Sequence, residues 1–317
     1  MTIPIALTIV APCFNEEAGL PDFVERMCAA ASAAVGDAYE LVLVDDGSRD
    51  RTWAAINALA IRFPAIVGVR LSRNHGHQLA VTAGLSLVRG ARVLIIDADL
   101  QDPPELVGAM IDKLDQGFDV VFGRRRERAG ESTFKRATAS LFYRTLAALA
   151  ENDIPVDTGD FRLMSRRIVD RLNAMPERDR FIRGMVAWLG GRQTELIYDR
   201  DARVTGQTHY TLRRMVRLAT DGLTSFSTAP LRLATFLALL GVLAAAGLLV
   251  YVIVGFLRGV ATPGWTSLAL IVVFFSTAQL ICMAIFGEYL GRTYMQAKGR
   301  PLYLIDEITA TPPGGED

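Results

Sequence analysis

An α/β domain built on a doubly wound, mainly parallel sheet, followed by a two-helix transmembrane hairpin, is the fold this 317-residue sequence predicts. Three observations predict it. Short runs rich in Val, Ile and Leu alternate with helix-patterned stretches, carboxylates cluster where two of those runs end, and two long stretches near the C-terminus carry no charge.

Taken in order, Ile5–Ala11, Glu40–Asp45, Ile66–Leu71, Arg92–Asp97 and Asp119–Gly123 read as buried parallel strands, because near-continuous aliphatic runs suit a sheet covered on both faces. Asp50–Phe63 and His77–Arg89 carry helical spacing between them. Ser48 and Asp50 are placed to cap the first of these helices. A further helix is expected after Asp102, with Asp102 as N-cap, Pro103 at the first helical position and Glu105 in the first turn. Sheets of this class bind ligands beyond the carboxyl ends of their strands. No G-x-G-x-x-G follows the first strand and no Walker A loop is present, so a nucleotide bound here is held by other means.

Leu233–Leu257 is uncharged and long enough to cross ~30 Å of hydrocarbon at ~1.5 Å per residue. After Arg258 and the turn-forming Thr262-Pro263-Gly264, Trp265–Phe286 is again uncharged. Neither run has a polar face, which argues against helices of a soluble core. Arg213, Arg214, Arg217 and Arg232 precede the hairpin, and Arg292, Lys298 and Arg300 follow it. The positive-inside bias then puts both ends in the cytoplasm, as expected of a multi-pass protein of the inner (cytoplasmic) membrane. Thr211–Ser227 has apolar residues at helical spacing beside three arginines and reads as a headgroup-layer helix or a surface helix. The expected organisation is a cytoplasmic domain over 1–205, a juxtamembrane amphipathic segment over 206–230, membrane helices over 231–257 and 265–286, and a cytoplasmic tail over 287–317 whose last residues are disordered.

The 34 basic and 34 acidic residues cancel, so no charge excess points to nucleic acid. Cys13, Cys28 and Cys282 have neither disulfide nor metal-ligand spacing, and three histidines are too few for a His/Cys zinc site. Chemistry is instead concentrated in carboxylates. Val44-Asp45-Asp46-Gly47-Ser48 ends the second strand, and Ile96-Asp97-Ala98-Asp99-Leu100-Gln101 ends the fourth. In an Asp-x-Asp at a strand terminus, alternation aims both side chains the same way. Two carboxylates converging there repel unless a cation lies between them, and oxygen ligands favour Mg²⁺ or Mn²⁺. Such an ion suits a pyrophosphate leaving group.

Ala11-Pro12-Cys13-Phe14-Asn15-Glu16-Glu17, Val44-Asp45-Asp46-Gly47-Ser48-Arg49-Asp50 and Asp97-Ala98-Asp99-Leu100-Gln101-Asp102-Pro103-Pro104-Glu105 resemble, in order and spacing, family-2 glycosyltransferases. The chain looks most like the branch holding dolichyl-phosphate mannose synthases and bacterial polyprenyl-phosphate glucosyltransferases. The likeness runs on through Leu71–Gln78, Gly123-Arg124-Arg125, Thr158–Arg162, Gly206–Tyr210, Gly287–Arg292 and Arg300–Tyr303. It departs at Phe14, where the family often has Tyr, and at His209, where Lys is common.

The resemblance implies a GT-A-type fold. It implies Pro12, Phe14, Glu16 and Asp46 along the nucleoside pocket, with Asp46 accepting hydrogen bonds from base or ribose. It assigns Asp97, Asp99 and Gln101 to donor and metal, Asp99 as the nearest ligand, and Arg125, Arg136, Ser140 and Arg203 to an acceptor phosphate. Guanidinium groups grip phosphates in a bidentate fashion, and Arg124, Arg125, Arg126 and Arg128 are closely clustered. Asp160, ahead of Asp157, is the candidate general base, or a residue that orients the acceptor or its arginines.

The expected reaction is a single in-line displacement that inverts the anomeric centre. Glucose from UDP-glucose is the preferred donor sugar, ahead of GDP-mannose and UDP-linked amino or uronic sugars. Undecaprenyl phosphate is the preferred acceptor. Two other readings are a processive polysaccharide synthase, disfavoured by the absent Gln-x-x-Arg-Trp motif and too few membrane helices, and a non-catalytic membrane-tethered nucleotide-sugar scaffold. A homo-oligomer is compatible with all of this, and nothing in the sequence sets the number of copies.

Overall fold

In a computed structural model, residues 4–125, 158–198 and 264–309 are described, together with isolated positions between Ala234 and Arg258. The chain divides into two compact units, one holding every described strand and the other the long C-terminal helix.

The first unit begins with β1 (Leu7–Cys13), α1 (Leu20–Val35), β2 (Tyr39–Asp45), α2 (Thr52–Arg62), β3 (Ile66–Leu71), α3 (His77–Leu85) and β4 (Arg92–Ile95). A 3-10 turn over Pro104–Leu106 leads into α4 (Val107–Asp115) and β5 (Val120–Arg125). After Thr158 come β6 (Thr158–Ser165), α5 (Arg166–Ala174), α6 (Ile182–Leu189) and β7 (Gln193–Tyr198). The sheet order is β7-β5-β6-β4-β1-β2-β3, closed at the far edge by β8 (Ile305–Ile308). Strands β1 to β4 are mutually parallel, whereas β6 is antiparallel to both β4 and β5.

Alternation along these strands builds two cores. Leu7, Ile9, Leu41, Leu43 and Leu94 face one apolar layer, and Val10, Val42, Val44, Val93 and Ile95 face the other. Helix α1 shows how sequence selects the packing. Leu20, Phe23, Val24, Met27, Cys28 and Ala31 recur every three or four residues and are all buried, Pro21 sits in the first turn, and Gly36 ends the helix at φ 63°. At the amino ends of the strands, the buried Glu40 carboxylate accepts from Thr8 Oγ1 at 2.6 Å, Arg89 N at 2.8 Å and Arg89 Nε at 2.7 Å. This cluster lies at the end of the sheet opposite the ligand-binding edge.

All five expected strands form, with ends shifted by a few residues. The fifth pairs with β6 and β7, not with β4. Asp102 is not an N-cap. The helix starts later, through the 3-10 turn, and Asp102 is instead buried and accepts the Tyr198 hydroxyl. Ser48 does not cap α2 either; its Oγ accepts Asn15 N at 3.0 Å. Asp50 does brace the α2 entry, taking Thr52 N and Thr52 Oγ1 on Oδ1 at 3.0 and 2.6 Å. Within the expected tail, residues up to Thr309 are described. The first part of that tail is helical, and Ile305–Ile308 pairs antiparallel with β3, with Thr309 N donating to Gly68 O at 2.9 Å. Backbone groups at an open sheet edge favour such pairing. Trp53 Nε1 donates to Glu307 Oε2 at 3.2 Å across the same edge.

The second unit contains α7 (Trp265–Ala297), 33 residues long. Its Phe274–Ala297 portion is long and apolar enough to cross a membrane. The helix runs past Phe286, the expected end of the second span, and carries a Glu288–Arg292 pair at 3.0 Å one turn apart. Phe275, Ala278, Cys282, Ile285 and Tyr289 form its half-buried stripe. Cys282 Sγ contacts Ala234 O at 3.5 Å, and the described positions from Ala234 to Val254 are helical. The segment 206–230, with its amphipathic pattern, lies outside the described residues, as do residues 310–317.

Candidate active site

At the carboxyl ends of β1, β2 and β4 lies a cleft of about 270 Å³. Its lining includes Pro12, Phe14, Glu16, Asp46, Asp97 and Asp99, the six residues expected at a donor site. Parallel strands deliver them together: β1 ends in Pro12 and Cys13, Asp46 directly follows β2, and Asp97 and Asp99 follow β4.

The rim is tied by reciprocal bonds between two loops. Asn15 N donates to Ser48 Oγ at 3.0 Å, while Arg49 N donates back to Asn15 Oδ1 at 2.9 Å. Glu16 N donates to Thr52 Oγ1 at 2.9 Å, and Arg51 N to Glu17 Oε2 at 3.1 Å. Asn15 holds φ 57°, a left-handed conformation that Asn tolerates. Phe14, 43 % exposed, stands at the rim with its ring available to a planar ligand.

Asp46 has a part that its sequence position did not disclose. Its Oδ1 accepts His75 N at 2.7 Å and its Oδ2 accepts Gly76 N at 2.9 Å, so the carboxylate holds the β3–α3 loop against the cleft. Burial raises its pKa, opposed by these two amides. Gly47 must remain glycine for the same loop. At φ 65°, a Cβ there would meet the Arg73 carbonyl carbon at 2.4 Å and Asn74 N at 2.5 Å.

Asp97 and Asp99 repel one another. Burial, with the nearby charges of Asp160 and Asp99, pushes the Asp97 pKa up to about 6 although His77 pulls it down. About a third of its side chain is exposed (37 %), but Oδ1 is sealed from solvent and accepts no hydrogen bond. Asp99 Oδ1 accepts Gln101 N at 3.1 Å, and Leu100 between them sits at φ 56°, a strained conformation for a bulky residue. The Gln101 amide is buried, and its Nε2 has no hydrogen-bond partner.

Among the described residues, no group of three or more His, Cys, Asp or Glu side chains converges for a metal. A carboxylate oxygen that accepts no hydrogen bond, beside a second carboxylate, nonetheless fits an ion that takes one or two protein carboxylates and completes its shell with substrate phosphates, as Mg²⁺ characteristically does.

Asp160, in β6, lies at the hub of a polar network. Its Oδ1 accepts Arg183 Nε at 2.8 Å, and its Oδ2 accepts His77 Nε2 at 3.1 Å, Gln78 Nε2 at 3.2 Å and Arg183 Nη2 at 3.3 Å. Gln78 Oε1 in turn accepts Ile182 N at 2.9 Å, which joins the starts of α3 and α6. Burial would raise the Asp160 pKa, but the bonds from His77 and Arg183 and the charges of Arg183 and Arg162 hold it well below the carboxylate range. Buried Arg162 is lowered to about 10 by burial, against the pull of Asp160. His77 lies 3.7 Å from Asp97 and 3.1 Å from Asp160. Burial works against its charge, yet the Asp160 bond and both carboxylates raise its pKa overall.

Of the expected acceptor set, Arg125 ends β5, opposite Tyr198 of β7 in the register. Arg136, Ser140 and Arg203 lie outside the described residues, as does Asp157. Neighbouring Arg124 is paired with Glu195 at 2.9 Å. His77, Gln78 and Arg183 received no role from the sequence. His77 and Gln78 fall inside a stretch that carried the resemblance, and that was the available signal. Arg183 lies outside every such stretch, and only the folded chain brings it to Asp160.

A family model for Glycosyl transferase family 2 matches residues 8–172. The chain is 41 % identical over 310 residues to the uncharacterized glycosyltransferase YkcC of Bacillus subtilis (strain 168), covering 97 % of this chain and 95 % of that protein. It is 40 % identical over 305 residues to the uncharacterized glycosyltransferase sll0501 of Synechocystis sp. (strain ATCC 27184 / PCC 6803 / Kazusa), covering 96 % of each. It is 36 % identical over 306 residues to the prophage bactoprenol glucosyl transferase homolog of Escherichia coli (strain K12), covering 95 % of this chain and 99 % of that one.

Proposed function

Because the chain belongs to glycosyl transferase family 2 and is a glycosyltransferase, we propose that it transfers glucose, with inversion, from UDP-glucose to a membrane-borne polyprenyl phosphate such as undecaprenyl phosphate. The observation that supports this reading is the cleft itself, in which the six residues expected at a donor site meet from three strand ends. Relatives whose printed names are bactoprenol glucosyl transferase, aligned over 94–95 % of this chain, favour a lipid phosphate over a protein or polysaccharide acceptor. The apolar Phe274–Ala297 helix supports membrane anchorage, and with the uncharged stretch before it we read a hairpin with the catalytic domain in the cytoplasm.

In this reading Phe14 and Pro12 flank the base and Glu16 and Asp46 border the ribose, in a site set up by the latched loops. Asp99, Asp97 and Gln101 would hold Mg²⁺ or Mn²⁺, which when bound neutralises charge on the departing diphosphate. Arg125, with Arg136, Ser140 and Arg203, would grip the acceptor phosphate. The phosphate oxygen bonds to the anomeric carbon as the bond to the nucleoside diphosphate breaks, and the electron pair leaves with the diphosphate. A phosphate monoester has its second pKa near ~6, so the nucleophile is already largely deprotonated. Asp160, with its proton affinity suppressed by Arg183 and His77, suits a fixed anion that orients its neighbours and not a base that accepts a proton. Positioning and electrostatics then supply most of the catalysis.

The test is to incubate purified protein with Mg²⁺ or Mn²⁺, polyprenyl phosphate and UDP-glucose, GDP-mannose or UDP-linked amino and uronic sugars, then weigh the lipid products. A lipid gaining one hexose only from UDP-glucose supports the proposal. No lipid-linked sugar from any donor overturns it. Asp99→Ala should abolish transfer, and a scaffold would keep its cellular role with that change.

A further inference from the structure

Tyr198, the last residue of β7, donates its hydroxyl to Asp102 Oδ1, and both residues are buried. Asp102 closes the Asp97–Gln101 loop, where Leu100 is held in a strained conformation and Asp99 is bonded to Gln101 N. Strain of this kind persists only where surrounding structure over-determines it. Tyr198 is itself fixed. Its ring meets Phe161 edge-on at 5.8 Å, and a Cβ on Gly123 would come within 2.6 Å of Phe161 and 2.8 Å of Tyr198. In the β5–β7 register Tyr198 stands opposite Arg125, and Arg203 follows it five residues along the chain.

We propose that the Tyr198–Asp102 bond is a positioning latch that holds the donor loop in its working conformation and ties that loop to the end of β5, where Arg125 of the acceptor-phosphate set stands. The inference rests on the donor and acceptor assignments given above. Tyr198 and Asp102 touch neither substrate in this reading and act through Asp99 and Gln101. A single bond thereby sets the spacing between the leaving group and the incoming phosphate.

The test compares Tyr198→Phe, Asp102→Ala and Asp102→Asn with the full-length wild type in detergent, reading Mn²⁺–UDP binding by calorimetry as well as turnover. Tyr198→Phe should weaken Mn²⁺–UDP binding by about fivefold or more, the scale of one buried hydrogen bond. Its kcat should fall further than the KM for polyprenyl phosphate rises. Asp102→Ala should match it, the double variant should be no worse than either single change, and Asp102→Asn, which keeps an acceptor oxygen, should recover part of the loss. Glu40→Gln, at the opposite end of the sheet, supplies a destabilised control that should bind Mn²⁺–UDP as the wild type does. Unchanged binding and turnover in Tyr198→Phe overturn the latch alone, as does an equal binding loss in Glu40→Gln. A wild type that binds no Mn²⁺–UDP overturns the donor-site reading and the latch with it.

Discussion

Replacing Asp160 with Asn keeps the shape of the side chain and removes its charge from the centre of a buried network. Four hydrogen bonds from Arg183, His77 and Gln78 end on its two oxygens, and Arg162 lies buried nearby with its Nε unpartnered. Breaking one side of a buried ion pair costs ~3–5 kcal/mol. Arg183 is 29 % and His77 41 % exposed, and solvent screens their share. A loss of about 3 kcal/mol is therefore expected, or roughly 6–12 °C of melting temperature for a domain of this size. The pH dependence follows from the sign of the shift. A carboxylate held below its ordinary pKa contributes stability that is full above ~4 and is lost only as pH falls through the folded value. The gap between wild type and Asp160→Asn should widen from pH 7 to pH 5, as His77, whose pKa Asp160 raises, takes up its proton, and shrink only in stronger acid. Thermal unfolding of both proteins in one detergent across that range is the assay. A gap below ~1 kcal/mol, or one that closes between pH 7 and 5, would refute the network's reading as a fixed anion with buried cationic partners.

Gly47→Ala forces a Cβ into the Arg73–Asn74 backbone at a positive φ, and should cost ~1–3 kcal/mol of stability together with nucleotide affinity, measured by melting and UDP binding. Phe14→Ala, at an exposed rim position, should leave melting within a degree or two, yet weaken UDP binding roughly tenfold if the ring stacks on the base. Asp97 gives a pH signature opposite in sign to that of Asp160. With its pKa raised to about 6, its ionised form is disfavoured in the folded protein, so without metal its contribution to stability is lost as pH rises through 6. Cations require the ionised form, so Mn²⁺–UDP-glucose affinity, whose diesterified phosphates do not titrate in this range, should fall about tenfold from pH 7 to pH 5, where a carboxylate of ordinary pKa would show almost no change. Calorimetry at three pH values distinguishes the two.

The parallel strands were legible because burial on both faces leaves an unbroken aliphatic run, and Leu7–Cys13, Tyr39–Asp45 and Ile66–Leu71 lie within or near such runs. Strand β7, Gln193–Tyr198, is a half-exposed edge strand, and β6 places Asp160 and Arg162 among apolar residues, so neither shows the pattern of a buried parallel strand. Strand β8 comes more than two hundred residues after the strand it pairs with, and local pattern carries no trace of such a contact. That the six residues would meet in one cleft was legible for a related reason. Its residues follow strand ends directly, so topology places them wherever the strands go. The Asp160 hub was not, because Arg183 and Gln78 reach it from the starts of two helices far apart in sequence. Asp102 was misplaced by a local rule: an aspartate before proline reads as a cap, and a tertiary hydroxyl from Tyr198 claims it instead.

Asp97, which lines the cleft, and Asp160, which reaches it through His77, carry charges of opposite disposition. Their environments push their proton affinities in opposite directions, the arrangement by which protein sites divide roles between like groups. Asp160 is neutralised within the protein by Arg183, His77 and Arg162, and remains an anion whatever is bound. Asp97 Oδ1 accepts no hydrogen bond and has the His77 imidazole only at 3.7 Å, against the repulsion of Asp99 and Asp160, so its ionisation is disfavoured. His77 lies between them, donating toward Asp160 at 3.1 Å and standing 3.7 Å from Asp97. In the proposed reading, a cation bound with the donor would relieve the repulsion of Asp97 by Asp99, and His77, in reach of both carboxylates, would carry that change toward Asp160.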